Sequence, residues 1–147
     1  VMTILPATRP DHVLAARGLF EEYAASLSFD LGFQNFRFEL DALPGEYVPP
    51  DGGLWLATAD GGEVAGCVAL RRLKQGVGEM KRLYVRPAHL RIGLGRRLVE
   101  RVVTEATSVG YERLRLDSTP EIVGAIRLTS RWGSSASPRV DATRSPG

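Results

Sequence analysis

The densest chemistry in this chain lies in Arg91-Ile92-Gly93-Leu94-Gly95-Arg96. A Gly-x-Gly at the mouth of a helix sets several backbone N–H groups at the positive end of the helix dipole, a geometry that suits a phosphate. Gly93 and Gly95 clear side chains from the place where a ligand must approach the backbone, and Arg91 and Arg96 can add charge-assisted hydrogen bonds. Arg82, Arg86, Arg91, Arg96, Arg97 and Arg101 crowd into one 20-residue stretch, enough to steer and hold a polyanion. The same residues also fit a tight helix start with a solvated basic face, and the spacing alone leaves both readings open. Two nucleotide motifs are excluded. A P-loop needs Gly-Lys followed by Ser or Thr, but Gly95 is followed by Arg96-Arg97-Leu98; a dinucleotide fingerprint needs a third glycine, and Leu98 stands there.

The elements around this motif can be read from hydrophobic period and turn residues. Residues 3–5 are a short β-prone run. Leu14, Ala15, Gly18, Leu19, Glu22, Tyr23 and Ser26 recur at helical spacing and predict a helix over 11–27 with that stripe inward. A second helix is expected over 36–43, stopped by Pro44-Gly45. Strands over 54–59 and 63–73, joined through Asp60-Gly61-Gly62, read as an antiparallel hairpin. Gly76-Val77-Gly78 reverses the chain into a strand over 79–85, with Glu79, Lys81, Leu83 and Val85 on one face and Pro87 ending the ladder. Leu94, Leu98, Val102 and Ala106 mark the strongest helix, over 93–109, closed by Gly110. Residues 111–117 alternate like a half-buried strand, so strand, helix and strand imply a right-handed parallel crossover. A last helix is expected over 122–130. From Gly133 onward Ser, Pro, Ala and Arg dominate without period, which predicts a loop or extended tail.

A length of 147 residues suits one domain with one core, and 44% hydrophobic content is ordinary for a globular protein. The net charge of +2 does not imply a nucleic-acid partner. No apolar run approaches the roughly 18 to 20 residues of a membrane span, and the N-terminus lacks the features of a secretory signal, so no membrane partner and a cytoplasmic location are expected. Cys67 is the only cysteine. It can form no internal disulfide, no metal site is expected, and its apolar surroundings read as core.

The order strand, helix, helix, three antiparallel strands, helix, strand, helix resembles the GNAT superfamily of N-acetyltransferases. The resemblance is carried by Glu79-Met80-Lys81-Arg82-Leu83-Tyr84-Val85-Arg86-Pro87 followed by Gly93-Leu94-Gly95-Arg96-Arg97-Leu98, which looks like that family's coenzyme-binding motif after its fourth strand. Ala125-Ile126-Arg127-Leu128 is similar to the start of its last conserved helix. It implies an α/β (α+β) fold with a mixed, mostly antiparallel central sheet flanked by helices. The implied acyl-CoA N-acyltransferase domain covers residues 1–130, and an irregular tail over 131–147 replaces the last strands. It further implies acetyl-CoA as cosubstrate. The main chain at Leu83, Tyr84 and Val85 would pair with the pantetheine amides, and the N–H groups of Arg91, Ile92, Gly93, Leu94, Gly95 and Arg96 would bind the pyrophosphate. The fourth and fifth strands would splay to admit the thioester. Glu79 sits where several family members place the general base. It could instead be a strand glutamate paired with Lys81 or a nearby arginine.

Two departures qualify what the resemblance implies. Leu90 occupies the motif's Arg/Gln position, with Arg91 where the family often has glycine, which weakens the pyrophosphate site without removing its amides. After Leu128 the family usually continues with Tyr-Glu-x-Leu-Gly-Phe, whose tyrosine protonates the departing thiolate; Thr129-Ser130-Arg131-Trp132-Gly133-Ser134 stands here. Shifted by one base, codons for those six residues can spell Tyr-Glu-Ser-Leu-Gly-Phe. A one-base deletion near Leu128 therefore accounts for everything from Thr129 to Gly147, a hypothesis that an intact mass matching this chain, with a gene free of the lesion, would refute. Losing such an acid costs about a hundredfold to ten-thousandfold in rate. The expected activity is transfer of an acetyl group to a primary amine of a small molecule or peptide, with an acyl-CoA-binding module of little catalysis as the alternative. The acceptor pocket is expected from Phe29, Phe33, Phe36, Phe38 and Tyr47 with Glu39, Asp41 and Glu46, most of the aromatics being core and the acids hinting at an amine. A fifth strand left without a partner would favour a homodimer through the sheet edge or the tail.

Overall fold

A computed structural model of the chain describes residues 2–26, 33–89, 93–118 and 139–144. The elements follow in the order β1 (Thr3–Pro6), α1 (Pro10–Ser26), α2 (Phe33–Ala42), β2 (Gly53–Thr58), β3 (Val64–Lys74), β4 (Val77–Val85), α3 (Leu94–Val109), β5 (Arg113–Ser118) and β6 (Arg139–Arg144), with a 3-10 turn at Pro87–His89. They build one six-stranded sheet in sequential order. β1 to β4 pair antiparallel, and β4 with β5 and β5 with β6 pair parallel. The expected helix over 122–130 lies outside the described residues.

β2 and β3 are buried on both faces, which is why they read as nearly unbroken apolar runs. On one face Trp55, Val68, Leu70, Met80, Leu114 and Leu116 pack against α3. That helix contributes the expected Leu94, Leu98, Val102 and Ala106 together with Val99 and Val103. Leu98, Val99 and Val102 are fully buried, and each such side chain contributes about 1.5–3 kcal/mol. The helix stops at Gly110, whose φ of 94° only glycine adopts readily. There the Gly110 N–H donates to the Thr107 carbonyl and the Tyr111 N–H to the Ala106 carbonyl, satisfying the last turn.

On the other face Leu54, Leu56, Cys67 and Ala69 meet Ala16, Leu19 and Phe20 of α1 and Leu40 of α2. The stripe of α1 is rotated from the one expected, since Leu14 is 69% exposed. Alanines lie on several sides of this helix, so period alone could not choose its inward face, and the bulk of Phe20 does. Cys67 is buried core, as its apolar neighbours suggest.

Two further expectations are corrected. The tail is not irregular throughout: Arg139–Arg144 forms β6 and gives β5 a parallel partner over its whole length, from Arg113↔Arg139 to Ser118↔Arg144. Val140 and Ala142 alternate over too short a run to stand out among Ser, Pro and Arg. Nor do Glu79, Lys81, Leu83 and Val85 share one face. Leu83 and Val85 pack on the α3 side, whereas Arg82 and Tyr84 turn toward α1 and α2, because a bulge interrupts the pleat. Among the described residues no helix is long and apolar enough to cross a membrane.

Candidate active site

The bulge sits where the β4–β5 ladder ends. β4 pairs with β5 only from Val77↔Arg113 to Met80↔Leu116, yet β4 continues to Val85. On the β3 side the register passes from Ala69↔Lys81 to Cys67↔Tyr84, so Val68 faces both Arg82 and Leu83. Two residues opposite one is a bulge, which bends and twists the strand that carries the extra residue. Arg82 takes φ 59°, a left-handed conformation that costs a non-glycine residue about 1–2 kcal/mol. The result is a fork: residues 81–85 of β4 stay on β3 while β5 goes its own way with β6.

Strand alternation decides which groups face the fork. The Arg86 N–H donates to the Ala65 carbonyl, so Arg86 and, two residues back, Tyr84 aim their main chain at β3. Leu83 and Val85 therefore aim N–H and C=O away from β3, toward the side β5 has left. The Tyr84 carbonyl confirms this parity, since a Cβ on Gly66 of β3 would lie 2.6 Å from it.

The mouth of α3 closes one end of the fork. Gly93 precedes the helix with φ 76° and no side-chain cap, and a Cβ there would meet nothing within 4 Å, so conformation and not crowding asks for glycine. The first helical bond is Arg97 N–H to Gly93 O, leaving the N–H groups of Leu94, Gly95 and Arg96 without an intrahelical acceptor. Gly95 lies beside the end of β4, where a Cβ would be 4.0 Å from Val85 Cγ2. Arg91 and Ile92 lie outside the described residues. The arginine cluster is dispersed onto protein partners. Arg96 Nε donates to Glu100 Oε1 at 2.8 Å, Arg97 to the Met2 carbonyl and Arg101 to Glu105, while Arg82 and Arg86 face the opposite side. The mouth of α3 thus offers its main chain; the side chain of Arg96 is engaged along the helix.

The α1/α2 face of β3 and β4 carries a polar network that sequence reasoning did not find. Arg82 makes a two-pronged pair with Glu39 of α2, Nε to Oε2 at 2.9 Å and Nη2 to Oε1 at 2.8 Å, and lies over the rings of Tyr23 and Phe36. Burial alone would lower the Arg82 pKa, but the hydrogen bond and charge of Glu39 carry it above its ordinary value. Burial likewise opposes ionisation of Glu39, and the hydrogen bond and charge of Arg82 overcome it, so its carboxyl stays below the usual range. Burial and the charge of Glu39 push the Tyr47 hydroxyl up. Burial and the charge of Glu22 push the Cys67 thiol up, and its Sγ donates to the Arg82 carbonyl at 3.3 Å, so it is no nucleophile.

Glu79 lies on this same face, one pair before the fork. Its Oε1 accepts from Arg71 Nε at 2.7 Å, and Arg71 Nη1 reaches Glu46 at 3.1 Å. The partner is thus Arg71 of β3, not Lys81. The acids expected to favour an amine are all engaged, Glu39 by Arg82, Asp41 by Arg17 and Glu46 by Arg71. Phe36 and Tyr47 pack into the core, Phe38 is 77% exposed, and Phe29 and the side chain of Phe33 are outside the description. A groove of about 620 Å³ lined by Pro6, Pro44, Tyr47, Trp55 and Arg101 opens beside β1 and β2 and includes neither Glu79 nor Gly93.

A family model described as the Acetyltransferase (GNAT) family matches residues 15–134. An uncharacterized N-acetyltransferase of Schizosaccharomyces pombe is 36% identical over 116 residues, covering 78% of this chain and 71% of the relative. A second, of Dictyostelium discoideum, is 26% identical, covering 78% and 81%. Among solved structures, an acetyltransferase of the GNAT family from Staphylococcus aureus superposes with a TM-score of 0.67 at 17% identity, covering 89% of this chain and 81% of that one. A phosphinothricin acetyltransferase from Sinorhizobium meliloti, solved with AcCoA, gives 0.65 at 15% identity, covering 87% and 73%. At such identities the structures speak for the fold, and the family match and the fission-yeast relative speak for descent: this chain belongs to the GNAT family of acetyltransferases.

Proposed function

We propose that the chain transfers an acetyl group from acetyl-CoA to a primary amine, with Glu79 as general base. The observation that carries this reading is the fork: the β4–β5 ladder stops at Met80↔Leu116 while residues 81–85 run on, Leu83 and Val85 with their main chain facing outward, to an uncapped helix mouth. Leu83 and Val85 supply the edge for the pantetheine arm, while the main chain of Tyr84, expected to share in it, is turned to β3. The N–H groups of Gly93, Leu94, Gly95 and Arg96 supply the positive end for the diphosphate, joined by Arg91 and Ile92. An arm lying along the β4 edge and a diphosphate at the α3 mouth are compatible because Gly95 and Val85 adjoin.

The amine nitrogen forms a bond to the thioester carbonyl carbon, the C–S bond breaks, and coenzyme A leaves as thiolate. An amine of pKa near 10.4 is neutral only about once in a few thousand molecules at pH 7, so the ammonium proton must go to a base. Glu79 accepts it, directly or through water, and Arg71 holds the carboxylate in place at 2.7 Å. The thiolate takes its proton from water, since Thr129 stands where the family's tyrosine would act, and turnover is accordingly slow. The test is release of free thiol from acetyl-CoA across an amine panel, with the N-acetyl product identified by mass. Coenzyme A binding without thiol release would reduce the chain to a binding module.

A further inference from the structure

Three cations crowd the α1/α2 face beside the fork: Arg71, Lys81 and Arg82. Two are occupied. Arg82 is held by both oxygens of Glu39, and Arg71 by Glu79 at 2.7 Å and Glu46 at 3.1 Å. Every carboxylate of this cluster is therefore bound to an arginine. Lys81 is half-buried and has no hydrogen bond or ion pair among the described residues. It is the residue next after the last β4–β5 pair and immediately precedes the bulge, so its stem rises from the point where the two strands part. Burial lowers its pKa first and the charge of Arg82 lowers it further; Glu39 and Glu79 pull the other way, and Arg71 adds to the depression. A half-buried ammonium with no carboxylate of its own among the described residues, beside two guanidiniums that already hold the nearby carboxylates, is completed by an anion.

We infer that the acceptor amine carries its own anionic group, a carboxylate or a phosphate, and that the Lys81 ammonium holds it while the amine lies at the fork. This rests on the acyl-transfer reading and adds a substrate class to it. It also reverses the sense of the acidic residues of α2 and the segment after it, which serve Arg17, Arg71 and Arg82 and leave no spare carboxylate among them for a cationic substrate. The bound anion would in turn draw the Lys81 pKa back up.

The experiment compares paired acceptors with the full chain and saturating acetyl-CoA. Free α-amino acids are set against their amides, and phosphoethanolamine against ethanolamine, with thiol release giving kcat/KM for each. The anionic member of at least one pair should exceed the neutral one by roughly ten- to a hundredfold, the worth of a hydrogen bond to a charged partner, and the pair that responds tells carboxylate from phosphate. Lys81→Met should collapse that ratio and Lys81→Arg restore part of it. The ratio is read within one preparation, so any loss of folded protein cancels. A ratio near one in the wild type, or a ratio that Lys81→Met leaves intact, overturns the inference while acyl transfer stands. Thiol release from no acceptor in either arm sinks the transfer reading, and the inference falls with it.

Discussion

β4 is two strands in one. Its first half, up to Met80, is paired on both edges, with β3 and β5, and Met80 is 2% exposed. Its second half, residues 81–85, keeps only β3 and turns a free edge to the helix mouth. One residue, Arg82, divides them. The closed half is built as a sheet interior is built, and it holds Glu79 rigidly against Arg71. The open half leaves polar main chain unpaired by the sheet, which would be a liability at an ordinary edge. A bulge held by a buried ion pair is how this fold keeps an edge open inside its own sheet.

The sharpest way to break this contrast is to remove the proposed base from the closed half. Glu79→Gln should lower kcat about a hundredfold to ten-thousandfold with little change in the KM for acetyl-CoA, measured by thiol release; a KM effect alone would move Glu79 into binding. Next comes the hinge. Glu39→Gln strips Arg82, 9% exposed, of its counter-charge and should cost about 3–5 kcal/mol in urea unfolding. The folded Glu39 carboxyl lies below its ordinary 4.5, so the pair contributes fully above that value and its contribution is lost as pH falls through the lowered one. Wild-type stability should therefore decline in acid, and the variant should lose that part of the decline.

The two halves should also fail differently. Met80→Ala in the closed half should cost about 2–5 kcal/mol of stability and leave the KM for acetyl-CoA nearly untouched. Val85→Pro in the open half removes one outward N–H while the β3 ladder keeps its bonds, and should raise that KM about tenfold, as for one hydrogen bond. If both variants changed KM alike, the division at Arg82 would lose its meaning. At the small end, Leu14→Gln on the exposed side of α1 should shift stability by less than about 0.5 kcal/mol, a check that the inward face of α1 is the one carrying Phe20.

Much of the open half could be read from sequence because glycines and proline mark it: Gly93 and Gly95 at the helix mouth, Pro87 after the strand, and the Leu94–Leu98–Val102–Ala106 stripe all follow from local geometry. The hinge could not be read. Nothing local announces that an arginine will take a left-handed conformation, and the carboxylate that holds Arg82 lies 43 residues away in α2. The flipped face of Leu83 and Val85 follows from that single missed bulge, since one extra residue moves every later side chain across the sheet. The pairing of Glu79 with Arg71 needs the β3–β4 register, in which the two stand opposite each other. β6 escaped notice because its alternation is short and its composition is that of a loop.

The uncapped mouth of α3, opening on the free edge of β4, is the proposed seat of the coenzyme A diphosphate. Calorimetric titration of coenzyme A into the wild-type chain and into Gly93→Glu tests it most directly. The new side chain meets open space but forces a non-glycine residue into φ 76° and sets a negative charge where the diphosphate would lie. A saturable heat is expected for the wild type and its loss in the variant, with thermal unfolding of the variant still cooperative; no heat with the wild type, or equal affinity in both, would rule out a diphosphate at this helix mouth.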